Sequence, residues 1–253
     1  MKEFHVDELT VRIFPDKTEL GSAAAAQAAC ILERHIRNSG VARLLVAAAN
    51  SQLELIAALV RHREIDWRLV ELFHMDEYVG LAAGHPASFR RWVKTQLAER
   101  VALRQVHYLA GDAEDIESEC RRYAGLLAGR AIDLAFIGIG ENGHIAFNDP
   151  HEADFDDPRP VKRVRLDEKC RRQQVGEGHF PDLDAVPREA LTLTCPALIS
   201  AREIISCVPD QRKAEAVRST VLGPIAPSCP ASILRRHPRA WLYLDASSAS
   251  RLP

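Results

Sequence analysis

The chain has 253 residues, 47% of them hydrophobic and 27% charged, a composition that fits a soluble globular protein and excludes disordered and fibrous classes. Its 33 Lys and Arg against 35 Asp and Glu leave a formal charge of −2, a balance that argues against a nucleic-acid partner. No apolar run approaches the roughly 18 to 20 residues of a membrane span, the charged start MKEFHVDELTVRIF does not read as a signal peptide, and six cysteines without a C-x-x-C pair read as reduced thiols of a cytoplasmic protein.

In chain order, residues 10–14 (TVRIF) suggest a short strand stopped by Pro15. Asp16 or Thr18 then caps a helix through the alanine-rich stretch 23–36, which stops at Asn38, Ser39 and Gly40. Residues 43–49 (RLLVAAA) are the next buried-strand candidate, followed by a turn at Asn50 and Ser51 and a helix with Leu53, Ile56, Ala57 and Val60 on one face. Residues 69–75 (LVELFHM) read as a strand that delivers Asp76, Glu77 and Tyr78 at its end. Helices are predicted near 88–100 and 115–127.

Residues 133–150 read DLAFIGIGENGHIAFNDP: an apolar run of strand length, then a polar turn punctuated by Gly138, Gly140 and Gly143 that presents His144. A continuous apolar run fits a strand buried on both faces, and ligands bind beyond the carboxyl ends of such strands. After Pro150 the texture changes. Residues 161–166 alternate Val and Leu with Lys and Arg, as in a strand with one solvated face. The polar stretch 168–180, inside a region of about 151–185, is a candidate mobile lid or a plain surface excursion. Strands at 190–194, 203–208 and 241–244 and a helix at 211–221 complete the pattern. The alternation predicts one α/β domain over 1–253, with a mainly parallel, doubly wound (Rossmann-like) sheet and helices on both faces.

Two strand ends would then converge on one crevice, one carrying Asp76 and Glu77, the other His144 with Asn142 and Asp149. A carboxylate and an imidazole so placed can share proton abstraction and donation, which suits isomerisation or ring opening of a sugar. Gly138-x-Gly140-x-x-Gly143 formally matches a dinucleotide fingerprint, but no acidic residue ends a second strand about 20 residues on. No G-x-S-x-G elbow, Walker loop or H-x-x-x-H pair is present, so no metal is implied.

FHMDEYVGL with HPASF and GIGENGHIAFNDP resemble the two signature motifs of the glucosamine-6-phosphate deaminase (isomerase) family, and ALTLT, KAEAV, CPASILRRHP and WLYLD extend the resemblance over most of the chain. The related 6-phosphogluconolactonases share the glycine turn, but Ile145, Ala146, Phe147 and Asn148 favour the deaminase branch. The resemblance implies a cofactor-free conversion of glucosamine 6-phosphate and water to fructose 6-phosphate and ammonia. It assigns ring opening to His144 and proton transfer between C2 and C1 to Asp76. Asn142 and Asp149 stand where the best-known enzymes have Asp and Glu to orient the histidine; Asn142 is expected to accept a hydrogen bond from the ring.

The phosphate site departs further. Ala48, Ala49, Asn50, Ser51 and Gln52 replace a glycine-rich loop, with Ser51 and Gln52 as candidate donors beside a helix start. Lys213 matches the family's phosphate lysine. Gln174 stands at the position of the lid arginine, for which Arg171 or Arg172 could substitute. Glu77, Gly140 and Gly143 complete the expected substrate-binding set. The partner expected is a small sugar phosphate, with self-association into a homo-oligomer left open. Galactosamine 6-phosphate deamination, lactone hydrolysis and a non-catalytic sugar-phosphate-binding regulator are the alternatives.

Overall fold

The computed structural model describes Met1–Pro253. Along the chain run β1 (Lys2–Val6), β2 (Leu9–Phe14), α1 (Lys17–Ser39), β3 (Ala42–Val46), α2 (Leu53–Leu59), β4 (Val70–His74) and β5 (Asp76–Tyr78). Next come α3 (Phe89–Val93, continued by a π-helical stretch at Lys94–Ala98), β6 (Gln105–His107), α4 (Ile116–Ala128) and β7 (Leu134–Ile137). The last part holds β8 (Val161–Arg165), α5 (Glu168–Gly176), β9 (Glu189–Leu193), α6 (Cys195–Ile199), β10 (Ile204–Val208), α7 (Ala214–Leu222) and β11 (Ala240–Asp245).

Eight strands form one sheet in the order β1-β2-β11-β10-β7-β3-β4-β6, all parallel except the β1–β2 pair. Both faces are covered, which explains the apolar runs. Leu44, Val46, Leu134 and Phe136 point into the core beneath α1, α2 and α3, while Leu45, Ala135 and Ile137 point into the core beneath α4, α6 and α7. The result is the single-domain, mainly parallel α/β fold predicted. No helix is long and apolar enough to cross a membrane.

Local chemistry sets the boundaries. Asp16 caps α1, accepting from the amides of Thr18 (2.8 Å) and Glu19 (2.9 Å), and Gly40 ends it at φ +73°. Four alanines, Ala24, Ala25, Ala28 and Ala29, form its buried stripe.

Two features depart from the prediction. Asp76–Tyr78 is not the tip of β4; it is a separate strand in a three-stranded antiparallel sheet, β5-β9-β8, with Asp76 opposite Thr192. The short strands β1 and β6 carried too little apolar signal to be read. Chain connections from β3 and β7 leave in opposite directions, toward β4 and toward β10. Their carboxyl ends therefore form the switch point where such sheets bind ligands.

Candidate active site

A cavity of about 740 Å³ opens at that switch point. Its walls come from the loop after β3 (Ala47–Ser51), the turn after β7 (Gly138–Gly140 and His144), the loop after β10 (Pro209–Lys213), the end of β11 (Asp245), and Asp76 of β5. The inward side of α5 and the residues after it, Gln173, Gln174, Glu177 and His179, close one side. Mixed apolar and polar walls of this size suit a small polar ligand.

Asp76 is 6% exposed, and its Oδ1 has no hydrogen-bond partner. Burial pushes its carboxyl well above the ordinary range, and the charge of neighbouring Glu77 adds to the rise. Its backbone is pinned by His74, whose Nε2 accepts from the Leu109 amide (2.9 Å) and whose Nδ1 therefore donates to the Asp76 carbonyl (3.0 Å). Burial holds His74 near a pKa of about 3, so this strut is uncharged at neutral pH.

His144 is placed by a tight turn. The Gly140 amide donates to the His144 carbonyl (2.9 Å), the Gly143 amide donates to the Gly140 carbonyl (2.9 Å), and Gly143 adopts φ +84°. The imidazole lies directly over the Gly140 α-carbon: a β-carbon added there would stand 2.2 Å from Cε1. Nδ1 is 3.1 Å from Asp149 Oδ1, close enough for a charge contact but too poorly aligned for a good hydrogen bond, and Nε2 stays unpartnered on the cavity side. Burial alone would raise the Asp149 carboxyl, but the contacts with His144, the Asp167 amide and Asn142 outweigh it and hold the carboxyl low.

Asn142 does not accept from the ring as expected. Its Oδ1 accepts from the His144 backbone amide (3.1 Å), while Nδ2 donates to Asp149 (2.8 Å) and to Asp167 (2.9 Å), the residue that caps α5. An aspartate here would face two carboxylates with no proton to offer, so the amide matches Asp167. His144, Asp149 and Cys170 also bring N, O and S donors within 4.8 Å of one another, and Asp149, His151 and Asp167 form a second such group. Both groups share Asp149, whose oxygens already serve the histidine, Asn142 and α5.

The remaining expected site residues divide. Ser51, Gly140 and Lys213 line the cavity. Gln52 does not; it is fully buried, donating to Ser51 Oγ (2.8 Å) and the Cys207 carbonyl (3.2 Å). Gly143 backs onto Cys229, outside the cavity. Arg172 points to solvent and pairs with Glu168 one turn earlier; one position along α5, Gln173 faces the site instead.

Glu77 is likewise not at the cavity. Fully buried, it accepts from the amides of Tyr78 (2.9 Å), Phe89 (3.2 Å) and Arg90 (2.9 Å) and from Ser88 Oγ (2.7 Å), tying β5 to the start of α3. Glu77→Gln would turn an amide NH₂ against these donors. The expected loss is ~3 kcal/mol of stability in urea unfolding, with KM unchanged; a raised KM at full stability would contradict this placement.

Sequence reasoning missed Glu177, His179, Asp210 and Arg212. The segment Gly176-Glu177-Gly178-His179 carried a signal in its two polar side chains between and after glycines, with Gly178 at φ +80°. Asp210 carried none: its φ of +90° is visible only in the fold, and with Ala146 (φ +48°) it places two strained non-glycine residues on the cavity wall.

A switch-point cavity with a buried carboxyl and a cavity-facing imidazole is the site of an α/β enzyme that handles a small polar molecule. Residues 15–242 match the family model described as glucosamine-6-phosphate isomerases/6-phosphogluconolactonase, and the chain belongs to that family. It is 34% identical to a glucosamine-6-phosphate deaminase of Listeria innocua, over 93% of this chain and 98% of that protein. It is also 34% identical to a glucosamine-6-phosphate deaminase of an Arthrobacter species, over 96% and 93%. Among solved structures, a monomeric glucosamine-6-phosphate deaminase superposes with a TM-score of 0.86 at 29% identity, covering 95% of this chain and 98% of the other. The 6-phosphogluconolactonase of Trypanosoma brucei gives 0.79 at 15% identity, covering all of both chains, a likeness of fold alone.

Proposed function

We propose that this chain converts glucosamine 6-phosphate and water to fructose 6-phosphate and ammonia. The observation that carries the reading is that Asp76 and His144, from separate sheets, meet on one cavity. His144 Nε2 moves the proton that opens the pyranose ring, with Asp149 stabilising the charged imidazole. Asp76 takes the C2 proton of the open aldehyde and returns it to C1. The enolamine so formed becomes a 2-imine, whose hydrolysis releases ammonia. One carboxylate can serve two adjacent carbons when it is fixed within reach of both, as the His74 strut and the pairing of β5 with β9 hold Asp76 here.

Lys213 and Ser51 bind the phosphate, and the segment 151–185 covers the site through α5. The six unpaired cysteines agree with a reducing, cytoplasmic setting. The test is to incubate the purified protein with glucosamine 6-phosphate, galactosamine 6-phosphate and 6-phosphogluconolactone and to follow ammonia, fructose 6-phosphate and acid release. Ammonia is expected from glucosamine 6-phosphate. Acid release from the lactone without ammonia from either amino sugar would replace this reading with the lactonase one.

A further inference from the structure

Every cationic side chain on the cavity wall is already paired. Lys17 Nζ lies 2.9 Å from Glu54, an Arg212 nitrogen 3.2 Å from Asp210, and Lys213 Nζ 3.5 Å from Glu177. Only the last pair is desolvated, both side chains being 7% exposed; Lys17 and Arg212 are about half or more exposed. A phosphate that takes Lys213 therefore strips Glu177 of its lysine and leaves it Gln173 (2.8 Å) and His179 (3.5 Å) as contacts. A buried carboxylate that loses its counter-charge is strongly unfavourable. With the pair intact, burial favours the neutral form, but contacts with His179, Lys213 and Gln173 outweigh it and hold the carboxyl low, at about 2.

We propose that Glu177 is a specificity-determining substrate ligand: an amino-sugar phosphate replaces both halves of the Glu177–Lys213 pair, its phosphate binding Lys213 and its ammonium binding Glu177. A sugar phosphate without the amine satisfies only the lysine and leaves the carboxylate without its counter-charge. Because Glu177 and Lys213 touch, a molecule that carries its two charges on opposite sides of one ring engages both only by parting the pair. Glu177 and Asp76 both line the cavity that would hold that ring. The proposal rests on the amino-sugar phosphate reading and adds the residue that tells that substrate from its own deaminated product. Release of fructose 6-phosphate follows from the same exchange, because the product cannot hold Glu177 away from Lys213.

The test uses two ligands that cannot react, 2-amino-2-deoxyglucitol 6-phosphate and glucitol 6-phosphate, which differ only in the amine. Their dissociation constants are measured by calorimetry on the full chain and on Glu177→Gln and Glu177→Asp. The unsubstituted protein is expected to prefer the amino ligand. Glu177→Gln should cut that preference by about tenfold or more, the scale of one close charge pair, by weakening the amino ligand and tightening the other. Glu177→Asp should restore part of it. A preference unchanged in Glu177→Gln overturns the proposal, and so does equal binding of both ligands by the unsubstituted protein, even where ammonia release stands. Binding of neither ligand overturns the functional reading itself, and the proposal with it.

Discussion

Asp76→Asn is expected to lower kcat by on the order of 10³-fold, within the range of a general base, while raising the melting temperature at pH 7. The amide keeps the shape of the carboxyl and removes its ability to take a proton, so ligand binding should persist. The stability gain follows from burial. Burial, then the charge of Glu77, raises the folded-state pKa of Asp76 well above its ordinary 3.8. Between those two values the folded protein holds a proton that the unfolded chain has lost. Stability therefore falls as pH rises through that window, and at neutral pH the carboxyl is a net burden on the fold. Removing it should raise the melting temperature by at least ~2 °C, the shift that one kcal/mol gives in a domain of this size. The gain should vanish below pH 3.8, where Asp76 is protonated in both states. Calorimetric scans at pH 7 and pH 3 with a kinetic assay read all three effects. A variant that melts lower at pH 7 would mean that the carboxyl is held by contacts rather than strained by burial.

The same burial explains which parts of the site were legible in the sequence. β3 and β7 could be read because strands covered on both faces need unbroken apolar runs, and Leu44–Val46 and Leu134–Ile137 supply them. Strand β5 could not, because Asp76 and Glu77 are charged residues buried by tertiary packing, and three residues give no period. The inward side of α5 was hidden for a related reason: it faces a polar cavity, so Gln173, Gln174 and Glu177 occupy positions where a core helix would show leucines. Periodicity reports apolar faces only. Arg172 fell on the wrong side by one residue, and one step turns a helix by more than a quarter of a circle. Asn142 reads in the sequence as an acceptor for the histidine ring because Asp167, 25 positions away, is not in view; with it, the amide is the group that joins two carboxylates.

Gly140→Ala should lower kcat by on the order of 100-fold while leaving the fold intact, the penalty expected when a reacting group is displaced by about 1 Å. The added methyl would stand 2.2 Å from Cε1, 2.3 Å from Nε2 and 2.5 Å from Nδ1 of His144, so the ring has to move. It cannot do so and keep its 3.1 Å contact with Asp149, whose other partners, Asn142 and the Asp167 amide, hold that carboxylate in place. The backbone itself is tolerant, since Gly140, unlike Gly143, does not occupy the left-handed region that only glycine adopts freely. Gly143→Ala is the contrasting change. There φ is +84° and the methyl meets Cys229 Sγ at 2.9 Å, so the loss should appear first as a lower melting temperature. Measuring kcat, KM and melting temperature for both variants separates the two glycines. A Gly140→Ala protein with unaltered kcat would show that the imidazole does not act from the position it holds over Gly140, and would remove His144 from the ring-opening step.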